Sequence, residues 1–247
     1  MKVTPGLQTF GTVNFENLSI RYNAPVRSFC KNGNDLWVAT KGRGIIVLKN
    51  FKEAPASFDK HYTTFSYPAQ LDNNAVYALK GSNYNSLIYI GSDAAGLGIY
   101  NKKNNRFYKW QDVAGTKNVA AFGSVYSIYE DADSSLWLGT SGYGMVHLKF
   151  NVGSNGISIS LFEKYTATGN AEGPVNNIIY SIASCGEDYL WVGCRYGGLN
   201  LFDKQKKVFK ELNPASGNNA LSNNDVLYVY NDAQNNLWVG TSYGLNL

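Results

Sequence analysis

Five times along the chain an apolar run of five or six residues is followed by a short polar turn, a second apolar run, a glycine turn and a third apolar run. The first runs are VRSFC, VYALK, VYSIY, IYSIA and VLYVY, and the second are DLWVAT, LIYIGS, SLWLGT, YLWVGC and LWVGT. The third read GIIVL, GLGIY, GMVHL, GLNLF and GLNL. Apolar residues fill nearly every position instead of alternating, as in strands whose sheet is covered on both faces. A more polar run closes the unit, as in NRFYKW and KKVFKEL, and carries Lys102, Lys103, Lys109, Lys204, Lys206, Lys207 and Lys210. Charge of that kind suits an outer sheet edge, where it discourages edge-to-edge pairing.

Aligned at its aromatic, the second run gives Trp37, Tyr89, Trp137, Trp191 and Trp238, at intervals of 52, 48, 54 and 47 residues. A period near fifty with four strands per unit predicts an all-β chain: a β-propeller of four-stranded antiparallel blades, five in number. Wrapping the chain on itself gives a further interval of 46, beside the others. The first 25 residues contain VNFENLSIRY, and a segment within residues 10–22 is expected to be the outer strand of the last blade. The ring would then close by pairing of the N- and C-terminal strands. Residues 1–247 form a single propeller domain on this reading, either alone or as a segment of a larger multi-domain sensor.

The order of a V-Y-S-I strand, an E-D turn, L-W-V-G-T and then Y-G-G-L-N resembles the two-component regulator propeller repeat. Residues 125–148, 179–203 and 226–247 carry it well, 26–48 fairly, and 76–100 poorly, because Tyr89 replaces Trp. LSNNDV (Leu221–Val226) and LDNNAV (Leu71–Val76) match the loop that precedes the first strand in that family. The resemblance implies a periplasmic or extracellular sensor module of a hybrid two-component regulator that recognises a glycan fragment. Sensors of that family usually carry two seven-bladed propellers, a β-sandwich, a membrane span and a kinase, so five repeats are a departure from the pattern.

Composition narrows the partners. The 22 basic and 18 acidic residues leave +4, too mild and dispersed to imply nucleic acid. No stretch reaches the roughly 20 apolar residues of a membrane span, so direct membrane insertion is not expected, and MKVTPGLQTF lacks the apolar core of a secretion signal. Cys30, Cys185 and Cys194 lack C-x-x-C spacing, and Cys185 is expected opposite about Leu190 rather than Cys194. All three read as small buried apolar residues. Oligomeric state stays open, with a homo-oligomer among the outcomes.

Chemistry is sparse. The inner strands hold no Asp or Glu in their cores; the acids, such as Asp35, Glu130, Asp131, Asp133 and Asp232, gather in the turn that follows. The D-A-D-S-S run lacks the closing carboxylate of a calcium loop. His147 takes a third-strand position that is Val47 or Leu201 elsewhere and reads as a packed histidine, while His61 reads as surface. No nucleophile motif, phosphate loop or metal cluster appears, so neither an enzyme nor a cofactor is expected. A binding face remains, at the end carrying the glycine turns. Arg43, Tyr143, Arg195, Tyr196 and Tyr243 lie in those turns, Asn74, Asn177 and Asn224 in the loops beside them, and Arg27, Tyr77, Tyr126, Tyr180 and Leu227 just inside. Rings that stack on pyranose faces, with amides and guanidinium groups to fix hydroxyls or carboxylates, suit an oligosaccharide or other small polar ligand. A blander role for these residues is filling gaps between blades and stabilising turns. The rival classes are a secreted assembly scaffold and a propeller lyase or glycoside hydrolase.

Overall fold

Each repeat folds into one antiparallel sheet whose strands pair in chain order. The computed structural model describes residues 24–51, 57–117, 122–154, 156–212 and 220–247. The first blade comprises β1 (Val26–Asn32), β2 (Asp35–Thr40), β3 (Ile45–Lys49) and β4 (Ser57–Tyr62). The second comprises β5 (Val76–Gly81), β6 (Leu87–Ser92), β7 (Gly96–Asn101) and β8 (Arg106–Tyr108). In the third are β9 (Val125–Glu130), β10 (Leu136–Thr140), β11 (Met145–Gly153) and β12 (Gly156–Tyr165), and in the fourth β13 (Ile179–Cys185), β14 (Tyr189–Cys194), β15 (Leu199–Asp203) and β16 (Val208–Leu212). The fifth shows β17 (Val226–Asn231), β18 (Leu237–Thr241) and β19 (Gly244–Asn246). The chain is thus an all-β, five-bladed propeller. Its one helical element among the described residues is a 3₁₀ turn at Trp110–Asp112. The segment 10–22, expected as the closing strand, lies outside the described residues.

The core is divided by seam. One cluster joins Trp37, Ile45, Val47 and Tyr62 of the first blade to Val76, Ile88, Ile90 and Tyr100 of the second. Equivalent clusters join second to third, third to fourth and fourth to fifth blades. The inner strands of the second to fourth blades therefore bury one face against the blade before and one against the blade after, which explains why the apolar runs do not alternate. The repeated tryptophan faces the following blade, and Trp137 meets Phe202 of the fourth blade edge-on with ring centroids 5.3 Å apart.

The E-D turn has a definite task. The carboxylate six residues before the tryptophan accepts its indole N–H, from Trp137 to Asp131 at 3.1 Å and from Trp238 to Asp232 at 2.9 Å. Lys31 and Cys185 stand at that spacing before Trp37 and Trp191, and the Trp37 Nε1 is buried without an acceptor. The glycine of LWVGT is equally specific: a Cβ on Gly139 would stand 2.7 Å from the Ile179 carbonyl oxygen of the next blade. The threonine folds back over the glycine turn, with Thr40 donating to the Gly44 carbonyl at 2.8 Å and Thr140 to that of Gly144 at 2.7 Å.

The cysteines are free, with Cys30 and Cys194 buried as expected and Cys185 half-buried. Cys185 pairs with Tyr189, and Ser184 lies opposite Leu190. The turn through Gly186 is one residue tighter than the sequence reading supposed.

Candidate functional site

The second residue of each inner strand points into the axial channel. Arg27, Tyr77, Tyr126, Tyr180 and Leu227 line a cavity of about 690 Å³ that opens at the glycine-turn end, where Lys41 joins its wall. The side chains form a continuous arc. The Arg27 guanidinium lies 5.9 Å from the Tyr77 ring centroid, Tyr77 meets Tyr126 edge-on at 4.9 Å, and Tyr126 meets Tyr180 at 5.3 Å. Desolvation raises the Tyr77 and Tyr180 phenols above their ordinary range, so both keep their protons at neutral pH and offer hydroxyl donors and acceptors to the channel.

The rim is built by the glycine turns. Arg195 lies over its neighbour, its guanidinium 5.0 Å from the Tyr196 ring centroid and Nη2 3.5 Å from the Tyr196 hydroxyl. Tyr196 is 68% and Tyr243 82% exposed. Arg43 is exposed in the first turn, and its carbonyl is bonded by His61. Tyr143 is held more closely, with the Lys164 ammonium 4.7 Å from its ring centroid. Asp93 and Asp225 stand at this end too, each accepting a serine hydroxyl at 2.6 Å, from Ser124 and Ser242 respectively.

The asparagines serve the backbone. In each N-N pair the first side chain caps the following strand: Asn73 accepts from Ala75 N, Asn176 from Ile178 N and Asn223 from Asp225 N. The second reaches back to the incoming loop, Asn74 accepting from Thr64 N at 2.9 Å and Asn177 from Ala167 N at 2.7 Å. Its main-chain carbonyl then latches the previous blade's glycine turn. Gly42 and Gly44 both donate to Asn74, Gly142 and Gly144 to Asn177, and Gly198 to Asn224. Positive φ at Gly42 and Gly44, and at Gly142 and Gly144, aims these amides at one carbonyl. A Cβ on Gly144 would also run into the Tyr165 carbonyl.

The arrangement brings Arg195 and Tyr196 together at the rim and Arg27, Tyr77, Tyr126 and Tyr180 together in the wall. It commits the carbonyls of the Asn74 and Asn177 amides to bracing. The wall residues share one register position in the first strand, and that is the signal by which the sequence shows them.

A second cavity, of about 750 Å³, lies at the opposite end on the seam of the third and fourth blades. His147 Nε2 lies 2.9 Å from Ser135 Oγ and Nδ1 3.4 Å from Glu163 Oε2, a spacing reminiscent of nucleophile activation. Ser135 is only 1% exposed, and its hydroxyl donates to Asp133 at 2.5 Å, so it presents no nucleophile to a substrate. Lys204 pairs with Asp131 at 2.9 Å and Lys207 with Glu163 at 2.5 Å, both across the seam, so the charges there brace two blades. No cluster of three or more potential metal ligands occurs among the described residues.

Comparison with known proteins agrees with the repeat architecture. A family model described as two component regulator propeller matches residues 121–142 and 220–243. No match was found among curated proteins. Among solved structures, the extracellular domain of the putative one component system BT4673 from B. thetaiotaomicron is 22% identical with a TM-score of 0.68, over 93% of this chain and 28% of that one. The extracellular domain of the putative hybrid two component system BT3049 from the same organism is 21% identical with a TM-score of 0.67, over 90% and 28%. The Cps50 (Swd1) β-propeller domain of Myceliophteria thermophila is 9% identical with a TM-score of 0.58, over 88% and 62%. The chain spans less than a third of the two sensor domains, and likeness at these identities concerns the fold.

Proposed function

Starting from a chain that carries two-component regulator propeller repeats, we propose that it is a ligand-binding module of a signalling sensor, working outside the cytoplasm without transforming its ligand. The ligand class we assign is a glycan fragment, bound at the glycine-turn end of the channel. One observation carries the reading: an arc of Arg27, Tyr77, Tyr126 and Tyr180 lines an open polar cavity, with Arg195 over Tyr196 at its rim. Flat rings backed by hydroxyls and guanidinium groups match the alternating apolar faces and polar edges of a sugar ring. Asp93 and Asp225 at this end each accept a serine hydroxyl on one oxygen, which favours holding a ligand over hydrolysing it. Likeness to extracellular sensor domains supports the location, and no helix among the described residues is long and apolar enough to cross a membrane.

Affinity should be modest, because an open channel leaves much of a sugar in water. The test is calorimetric titration of the purified chain with neutral and acidic oligosaccharides, alongside a product assay. Tyr126→Ala, and separately Arg195→Ala with Tyr196→Ala, should each weaken binding roughly threefold to tenfold per lost ring contact. Binding indifferent to both changes moves the site elsewhere, and detectable product overturns the non-catalytic reading.

A further inference from the structure

The seam between the third and fourth blades departs from the repeat at two ladder positions. Opposite the aromatic of the second strand stand Val47, Ile99 and Leu201 in the first, second and fourth blades, but His147 in the third. The next residues outward are Lys60, Tyr108 and Lys210, but Glu163 in the third. Three blades thus fold with an aliphatic residue followed by a basic or phenolic one. The imidazole and the carboxylate are not a requirement of the fold, and both line the cavity of about 750 Å³ at the end opposite the glycine turns.

The outer wall of that cavity is held from behind. β11 and β12 run nine and ten residues, whereas β3, β7 and β15 run five or six. Their overhang is tied to the loop after β8: Ala114 N–H donates to the Ile157 carbonyl and Ile159 N–H to the Ala114 carbonyl, each at 2.9 Å. Lys149 pairs with Leu161 but Phe150 with Ile159, leaving a bulge at Ser160. The bulge turns the strand over, so that Ile157 and Ile159 pack toward the second blade while Leu161 and Glu163 line the cavity.

The charges in the cavity do not balance. Asp131, Asp133, Glu163 and Glu187 line it against Lys204 and Lys207. Asp131 is paired with Lys204, Glu163 with Lys207, and Asp133 with Lys149 at 3.2 Å. Burial lowers the His147 pKa from its ordinary 6.5, so the ring adds no positive charge at neutral pH. Glu187 remains, exposed and without an ionic partner among the described residues. The Tyr129 ring and the Leu161 side chain add apolar surface to the same cavity.

We propose that this cavity binds a small organic cation, with an alkylammonium or alkylguanidinium charge held by Glu187 and its apolar stem against Leu161 and Tyr129. The carboxylates concentrate negative potential in a walled space, and the internal pairs leave one charge for the ligand to meet. The site is independent of the channel mouth, with which it shares no lining residue.

An NMR titration tests this by following the Trp137 indole N–H, which donates to Asp131 in the cavity wall. The probe is n-butylammonium, with n-butanol and n-butyrate as uncharged and anionic counterparts at matched ionic strength. Butylammonium alone should move the signal saturably, and added salt should weaken it. Glu187→Gln should weaken binding about three- to tenfold and Glu187→Lys should abolish it, both with unaltered melting because the side chain is exposed. The proposal is overturned if butanol or butyrate acts as strongly as butylammonium, or if both Glu187 variants bind as the parent does. It is equally overturned if butylammonium produces no saturable shift at any concentration that leaves the fold intact.

Discussion

The indole of Trp137 and the imidazole of His147 lie face to face, ring centroids 3.7 Å apart and planes 3° from parallel. They sit directly opposite one another in the β10–β11 ladder. His147 thus takes a place that Val47 and Leu201 take in other blades, filling it with a flat ring whose nitrogens reach Ser135 and Glu163. Apolar packing on one side and hydrogen bonds at the edges make this pair a fixed part of the seam.

Trp137→Ala should therefore destabilise the fold by about 3–5 kcal/mol, as for other large buried side chains. Trp137 is 2% exposed, whereas Trp238 faces forward from the fifth blade and is only half-buried. Trp238→Ala should cost clearly less. Equilibrium urea unfolding of both variants checks the order, and equal losses would contradict the difference between the two seams.

Burial holds the His147 pKa below its ordinary value of 6.5, outweighing the opposing bond and charge of Glu163. The unfolded chain then binds the proton more readily than the folded one, so stability from this site is present above pH 6.5 and is lost as pH falls through the lowered folded value. Asp232 works in a different window. Its bonds from Trp238 and Asn236 bring its pKa to about 2 from 3.8, so its contribution disappears only between those values. Melting temperature followed from pH 7 down to 2 should fall in separate steps, and His147→Asn should flatten the upper step alone.

Gly139→Ala should cost about 1–3 kcal/mol or more, since its Cβ would enter the Ser127 hydroxyl and the Ile179 carbonyl of the next blade. Gly240→Ala, at the same repeat position, has room and should change stability by less than about 1 kcal/mol. Both are measured by thermal melting. A severe loss in Gly240→Ala would contradict the room at its Cβ.

Bracing and binding separate by mutation. Asn177→Ala removes the acceptor of the Ala167 amide and should lower stability by about 1–3 kcal/mol with little change in ligand affinity. Arg195→Ala should do the reverse, because the guanidinium is exposed and touches chiefly Tyr196. Paired melting and calorimetry on the two variants decide; an Asn177→Ala variant that melts normally but fails to bind would return the asparagines to the ligand.

Blade number and strand identity are legible in the sequence because seam packing repeats the same residue types at one register: Trp forward, Gly beneath the start of the next inner strand, Thr over the turn. The division of labour at the channel mouth is not. Asn74 and Asn177 look like ligand amides by composition, but their oxygens are taken by Thr64 and Ala167, ten residues upstream, a pairing set by how the incoming loop folds. Tyr77, Tyr126 and Tyr180 are legible as equivalent positions just inside the mouth, but the ring contacts that join them into one arc depend on the curvature that turns the inner strands toward a shared axis. His147 is legible as a packed residue, whereas its bond to Glu163 depends on the register of β11 against β12, where the two lie opposite one another.

The latch between each glycine turn and the following asparagine carbonyl has a thermodynamic consequence. Amides in Gly42, Gly44, Gly142, Gly144 and Gly198 are protected only while two adjacent blades are both in place, so no blade opens without loosening the next. Order in such an array spreads between nearest neighbours, as in a one-dimensional cooperative chain. Damage at one seam is felt by its two flanking blades and fades beyond them, so hydrogen exchange should map this propeller as overlapping pairs of blades rather than as five separate units or one indivisible whole.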